Sequence, residues 1–226
     1  MKRVSLDTCI LRGASDELSD CHKACKSLVE QEYLLPSIVC EELNGIKFRY
    51  NIYRSNLLKK TIKLIKLTEF TTNILDGIPN ENDSAAVEKI IAYEAAEMKI
   101  KTTANPEQMA QLRFRIAQRL RSIHSNLLSF GEISSERVFP FGGFAQDKTF
   151  KKLKKIYSVD KMTEFDNDLK IIVSTLAYGH ANHTDIELYS LDDFIVSRNK
   201  KQIYEEFKKH IYGKCEEIKF DILKPT

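Results

Sequence analysis

Short apolar stretches recur along this chain with long helix-forming segments between them, and this alternation constrains the fold more than any other feature. "RVSL" precedes Asp7, "YLL" precedes Pro36, "IELYS" precedes Asp192, and "CEEIKFDIL" follows the last helical segment. Parallel neighbours need a crossover connection, and a helix between successive strands supplies one. The expectation is an α/β fold built on a parallel sheet. The opening stretch "KRVSLDTCIL" raises a question of its own. It reads as a buried strand ending near Thr8, yet Asp7 stands inside it. A carboxylate there costs several kcal/mol unless something compensates it.

The segments between follow from periodicity and end signals. A helix is expected over Asp16 to Glu32, with Ala24, Leu28 and Val29 on its apolar face. Tyr33 to Leu35 form a short strand, Pro36 suits a first helical turn, and Ser37 to Lys47 continue it. A further helix or helix–strand pair covers Asn51 to Lys66. Two strongly helical stretches follow, the second with Pro106 at its first position. "GEISSERVFPFGGFAQDKTF" breaks the pattern and reads as a loop. In "TEFDNDLKIIVSTLAYG", Thr163 is a candidate N-cap with Asp166 three residues on, and Gly179 is a C-terminal stop. A strand over Ile186 to Ser190, a helix near Lys200 to Ile211 and a final edge strand complete the chain.

Composition bounds the class. The chain has 226 residues, which fits one large domain or a small one carrying an insertion. Its 42% apolar content suffices for a core, and a formal charge of +3 gives no global field toward a polyanion, leaving that to local patches. Met1-Lys2-Arg3 leads directly into the first strand with no apolar leader region, and there is no apolar run of transmembrane length. Five scattered cysteines do not suggest a disulfide framework. A reduced, cytoplasmic protein is expected, with no membrane partner.

The acids fall at special places. Asp7 and Asp192 lie at or just past strand ends, where open α/β sheets bind ligands. Asp166 and Asp168 lie near a helix start, which favours negative charge, and Glu41 and Glu42 follow Pro36. Carboxylates that converge raise one another's pKa. A divalent cation such as Mg²⁺ or Mn²⁺ relieves this, because it takes hard oxygen ligands. Cations of this kind at a phosphodiester support hydrolysis.

Four pieces together resemble a PIN domain, the metal-dependent nuclease fold related to flap endonucleases. "VSLDTCIL" is similar to the family's first strand, and "LPSIVCEEL" to its second helix. "FDNDLKIIVSTLA" is similar to its fourth core helix, and "LYSLDDF" to its last motif. The resemblance frames nearly the whole chain. It implies a parallel-sheet α/β/α sandwich, a single domain over 1–226, with a mostly helical insertion at about 71–160. It also implies a Mg²⁺- or Mn²⁺-dependent nuclease, an endoribonuclease acting on RNA in preference to DNA. Asp7, Glu42, Asp168 and Asp192 are then the metal-holding and catalytic quartet, with Thr8 and Ser190 supporting Asp7 and Asp192 by hydrogen bonds. Glu42 is preferred to Glu41 because Leu43 completes the Glu-Leu pair. Asp166 and Asp193 are additional acids that either approach metal or substrate or serve as a helix-start and a turn acid.

Three basic runs flank these acids. The first holds Lys47, Arg49, Arg54, Lys59 and Lys60, with Tyr50 and Tyr53 among them. Such a run is either a solvated helix face or a set of phosphate contacts, and the tyrosines are either core or base-stacking rings. "CHKAC" lacks a second ligand pair at finger-like spacing and reads as a half-buried helix face. Two alternatives stay open. One is a non-catalytic PIN-like module that binds nucleic acid or protein through the helical insertion, which also offers a surface for another copy of the chain. The other is a toxin-type ribonuclease.

Overall fold

The computed structural model describes residues 2–59, 66–132, 135–157, 166–192, 200–210 and 218–226. It is a mixed α/β protein, mostly helical, with small parallel sheets. Among the described residues the order is β1 (Arg3–Leu6), α1 (Thr8–Ser15), α2 (His22–Val29), β2 (Leu35–Pro36), α3 (Ser37–Lys59), α4 (Leu67–Leu75) and α5 (Glu81–Glu97). Then come α6 (Pro106–Gly131), a 3₁₀ turn (Ser135–Arg137), β3 (Val138–Phe139), α7 (Phe144–Tyr157), α8 (Asp166–Ala181), β4 (Ile186–Tyr189), α9 (Lys200–Lys208) and β5 (Phe220–Leu223).

The chain divides into two compact units, residues 1–44 with 129–226, and residues 45–128. The sequence suggested about 71 and 160 for the limits of the helical part.

All five described strands belong to the first unit. β4 lies between β1 and β5, parallel to both, with Leu6 opposite Tyr189 and Ile186 opposite Phe220. β2 pairs with β3 in parallel. A parallel bridge joins Ser5 to Leu34, where Leu34 N–H donates to Val4 O at 2.8 Å and Leu6 N–H donates to Leu34 O at 3.2 Å. Read through that bridge, the strands stand in the order β3-β2-β1-β4-β5. The chain therefore reverses its direction of travel across the sheet between β1 and β4. In open α/β folds that reversal opens a crevice at the carboxyl ends of the strands. Leu6, Leu35, Ile171, Ile172, Val173, Leu176 and Leu188 are fully buried in this unit.

Three segments differ from the sequence reading. The first strand stops at Leu6, and Thr8 to Ser15 are helical. Asp7 is the N-cap of α1, with extended backbone and a side chain that accepts from Thr8 N–H. Aspartate is among the best residues for that position, so the apparent misfit is a helix start. Next, α3 runs unbroken to Lys59 rather than ending near Lys47. Its buried positions, Val39, Leu43, Ile46, Tyr50, Tyr53 and Leu57, alternate steps of three and four, the period of one helix face. Last, the stretch read as a loop after Gly131 contains β3 and the start of α7.

Gly179 also serves differently. α8 continues past it to Ala181. A Cβ on Gly179 would stand 2.7 Å from Ile186 Cγ2 and 2.9 Å from Ile218 Cδ1, so glycine there lets α8 lie close to the sheet. Gly13 similarly receives the thiols of Cys21 and Cys25, in keeping with a packed helix face for "CHKAC". Cys9, Cys21, Cys25 and Cys40 are free thiols. Among the described residues no helix is long and apolar enough to cross a membrane.

Candidate active site

The parallel register of β1 and β4 sends Asp7 and Ser190 out of the sheet side by side. Asp7 N–H donates to Tyr189 O at 3.0 Å, and Ser190 N–H to Leu223 O at 3.0 Å. The Asp7 side chain is 4% exposed and both its oxygens are engaged. Oδ1 accepts from Thr8 N–H at 2.6 Å, while Oδ2 accepts from Ser190 Oγ at 2.6 Å and from Cys9 Sγ at 3.1 Å. Burial pushes the Asp7 pKa up against these three stabilising hydrogen bonds, and the charge of Glu42 pushes the same way.

Glu42 enters from α3, six positions after β2 ends. Its Oε2 accepts from Thr8 Oγ1, and its Oε1 accepts from Asn167 Nδ2 at 2.8 Å. Asp168 lies in the first turn of α8 and is half-buried. Its pKa is pushed up to about 8, first by burial and then by the charges of Asp7, Asp192 and Glu42. Three separate carboxylates thus act on a fourth. Asp192 is half-buried, and its N–H donates to Ser190 Oγ at 3.1 Å.

The support differs in detail from the expectation. Thr8 holds Asp7 only through its backbone N–H, and its hydroxyl goes to Glu42. Ser190 gives its proton to the side chain of Asp7 and takes one from the backbone of Asp192. Two partners were not foreseen. Asn167 clamps the far oxygen of Glu42. Cys9 donates to Asp7 while accepting from Leu191 N–H at 3.1 Å. Cys9 and Ser190 therefore form two parallel relays from the backbone after β4 to one oxygen of Asp7. The helical start at Thr8 is the signal that would have turned Cys9 toward the cap. Burial, then the Asp7 charge, raises the thiol pKa, so Cys9 stays a proton donor. Cys9→Ala is expected to lower stability in urea by about 1–2 kcal/mol and Cys9→Ser by less, because only the hydroxyl can keep both roles.

Asp166 opens α8, but its side chain falls outside the described residues, as do Asp193, Lys60 and the candidate cap Thr163. Among the described residues no group of three or more His, Cys, Asp or Glu side chains is arranged so that it could hold a metal ion. By chemistry the quartet is an all-oxygen donor set, which suits Mg²⁺ or Mn²⁺ and not a thiophilic ion.

The helical unit answers part of the expectation about basic residues. Arg49 is not a rim cation. Its Nε donates at 2.6 Å to Asp83 Oδ2, on a carboxylate with no exposure, and Tyr53 OH donates to the same oxygen at 3.0 Å. Tyr50 and Tyr53 are 1% and 7% exposed and belong to the core. On α6, Arg115 and Arg119 close on buried Glu94 at 2.5 and 2.6 Å, and Arg119 lies over Tyr93. Burial opposes the Glu94 charge, but the two arginines outweigh it and lower its pKa. Lys47 and Arg54 are half-buried and Lys59 is exposed. A small apolar cavity of about 50 Å³, lined by Tyr53, Leu57, Ile74, Val87 and Leu120, lies in this unit and gathers no titratable cluster.

No family model, no curated protein and no solved structure matches this chain.

Proposed function

We propose that the chain is a PIN-like nuclease that uses Mg²⁺ or Mn²⁺ to hydrolyse phosphodiester bonds, with RNA preferred to DNA. The observation that carries this reading is the gathering of carboxylates at the carboxyl ends of β1 and β4: Asp7 and the Asp192 backbone share Ser190, Glu42 is held by Thr8 and Asn167, and burial together with Asp7, Asp192 and Glu42 raises the pKa of Asp168. An acidic group left in this state is a poor stability device and a good cation site. The strand order, with its reversal between β1 and β4, supports a PIN-like arrangement of the first unit.

In this reading Asp7, Asp168 and Asp192 hold the cation, and Glu42 does so directly or through water. Bound there, the cation would activate water for in-line attack and stabilise the leaving oxygen. The chain's own groups prepare that step. Ser190 and Cys9 fix one oxygen of Asp7 and Thr8 N–H fixes the other. Thr8 and Asn167 hold Glu42 from both ends. Asp168, with its pKa near 8, gives up its proton as it becomes a ligand, so cation affinity rises with pH.

The test is cleavage of a single-stranded RNA oligonucleotide with Mn²⁺. The intact chain is expected to cut it, and Asp7→Asn to lose more than about 100-fold, beyond the 10–100-fold typical of outer-shell partners. Equal rates in a folded variant would overturn the mechanism. The second reading is a non-catalytic PIN-like module. Calorimetry decides between them: no heat with millimolar Mg²⁺ or Mn²⁺ would leave the binding module.

A further inference from the structure

We propose that Cys21 and Cys25 are a redox-active dithiol, which a low-molecular-weight disulfide closes into a strained, readily reversed bond at the start of α2. This goes beyond the nuclease reading and does not depend on it.

Local geometry brings the two thiols together. Cys21 is the N-cap of α2, and Cys25 N–H donates to Cys21 O at 2.9 Å, closing the first turn. Four residues at about 1.5 Å rise set the two Cα atoms about 6 Å apart, inside the roughly 4.4–6.8 Å that a disulfide spans. The side chains turn the same way. Their sulfurs stand 3.0 and 2.9 Å from the point where a Cβ on Gly13 would lie. The strain lies in the Cβ atoms. A helix holds such a pair about 5–6 Å apart, whereas a disulfide wants about 3.5–4.5 Å. The first turn can give, because Cys21, at φ −97° and ψ 7°, is already off regular helical values and its side chain makes no capping bond. Bonds closed under such strain are the more easily reduced.

Access sets the order of events. Cys21 is half-buried, and Cys25 has no exposure. The Cys21 thiolate attacks one sulfur of the small disulfide and expels a small thiolate. Cys25 then loses its proton, attacks the Cys21 sulfur and expels the second small thiolate. The pair gives up two electrons and two protons, and the small disulfide leaves as two thiols. Burial, then the charge and hydrogen bond of Cys21, pushes the Cys25 thiol up to about 12, which makes the second step the slower one. Both sulfurs pack on Gly13 of α1, so closing the bond repacks the seam between α1 and α2.

The experiment holds the full chain in millimolar oxidised glutathione, blocks the remaining thiols with iodoacetamide, digests with trypsin and weighs the peptides. Lys23 lies between the two cysteines, so trypsin parts them and only the new bond holds GASDELSDCHK to ACK. That linked pair is expected from most of the chain, and returning the folded chain to millimolar reduced glutathione should remove it. Cys25→Ser is expected to stop at one glutathione on Cys21, and Cys21→Ser to leave Cys25 unmodified. Thermal melts check that both variants fold, with Cys25→Ala in place of the serine if it does not. Two free thiols at these positions after incubation overturn the proposal. So does glutathione on Cys21 of the parent with no linked peptide, or a Cys21 bond to another cysteine. A linked pair that reduced glutathione fails to open also overturns it, since that bond would be structural. A chain that makes the bond and leaves RNA uncut with Mn²⁺ would refute the nuclease reading alone.

Discussion

Replacing Asp168 by Asn is expected to end Mn²⁺-dependent cleavage and, in the same variant, to make the cation-free protein more stable above pH 7. The two effects share one cause. In the folded chain the Asp168 pKa is raised to about 8 by burial and by Asp7, Asp192 and Glu42, while in the unfolded chain it returns to about 3.9. Below pH 4 both states hold the proton and the contribution to stability is complete. Between pH 4 and 8 unfolding releases that proton, so stability falls as pH rises, and above 8 the loss is complete. Asparagine has no proton to release. The variant's advantage should therefore grow across pH 4–8 and then level off. For a half-buried group reached by solvent, a difference of about 2 kcal/mol near pH 8 is expected. Urea unfolding at pH 5 and pH 8 reads it. Millimolar Mn²⁺ should raise the stability of the parent through binding to the folded state only and leave Asp168→Asn unmoved. A parent whose urea midpoint is flat from pH 5 to 8 and indifferent to Mn²⁺ would show that the carboxylates do not act on one another.

Asp83→Ala is expected to be the most destabilising single change in the helical unit, by about 3 kcal/mol in urea. Asp83 has no solvent exposure and accepts from both Arg49 and Tyr53, while its own N–H is bound by Asn80, the N-cap of α5. Removing the carboxylate strands the Tyr53 hydroxyl in the core and leaves Arg49 to find water. Arg49 is partly exposed and can do so, which keeps the cost near the low end for a broken buried pair. Arg49→Ala removes the charged partner of buried Asp83 while the Tyr53 hydroxyl remains, and a comparable loss is expected. If Arg49→Ala left stability intact and weakened RNA binding, the guanidinium would belong to the polymer after all.

The sequence singled out the four main acids through the resemblance to a PIN domain, and each also stands at a recognisable place in its element. Asp7 and Asp192 follow apolar strands, Asp168 begins a buried helix, and Glu42 lies on the helix after Pro36. Which donor serves which acid was not legible. Hydrogen-bond partners depend on the register of β1 against β4, and that register is set by contacts across nearly the whole chain. Thr8 and Ser190 do bond to Asp7 and Asp192, but through backbone N–H groups, while their hydroxyls go to Glu42 and Asp7. Cys9 was passed over because a strand reading turns its side chain into the sheet, whereas the cap at Asp7 turns the chain into a helix one residue earlier. The burial of Tyr50 and Tyr53 and the exposure of Phe48 were available in principle. The three-and-four spacing from Val39 to Leu57 puts both tyrosines on the buried face and Phe48 off it. The pairing of Arg49 with Asp83 was not available, since nothing local joins positions 34 residues apart.

The central pairing of β1 with β4 has a consequence in time. Leu6 meets Tyr189 across the sheet, and about 180 residues of chain must be made between them. At about 5–20 residues per second, β1 leaves the ribosome roughly 10 to 40 seconds before its partner exists. During that interval it has only the short bridge to Leu34 on its other side. Asp7 is present from the start, but Asp168, Ser190 and Asp192 arrive together near the end of the wait. Asp7 is therefore carried through most of this stretch of synthesis before Asp168, Ser190 and Asp192 exist to join it.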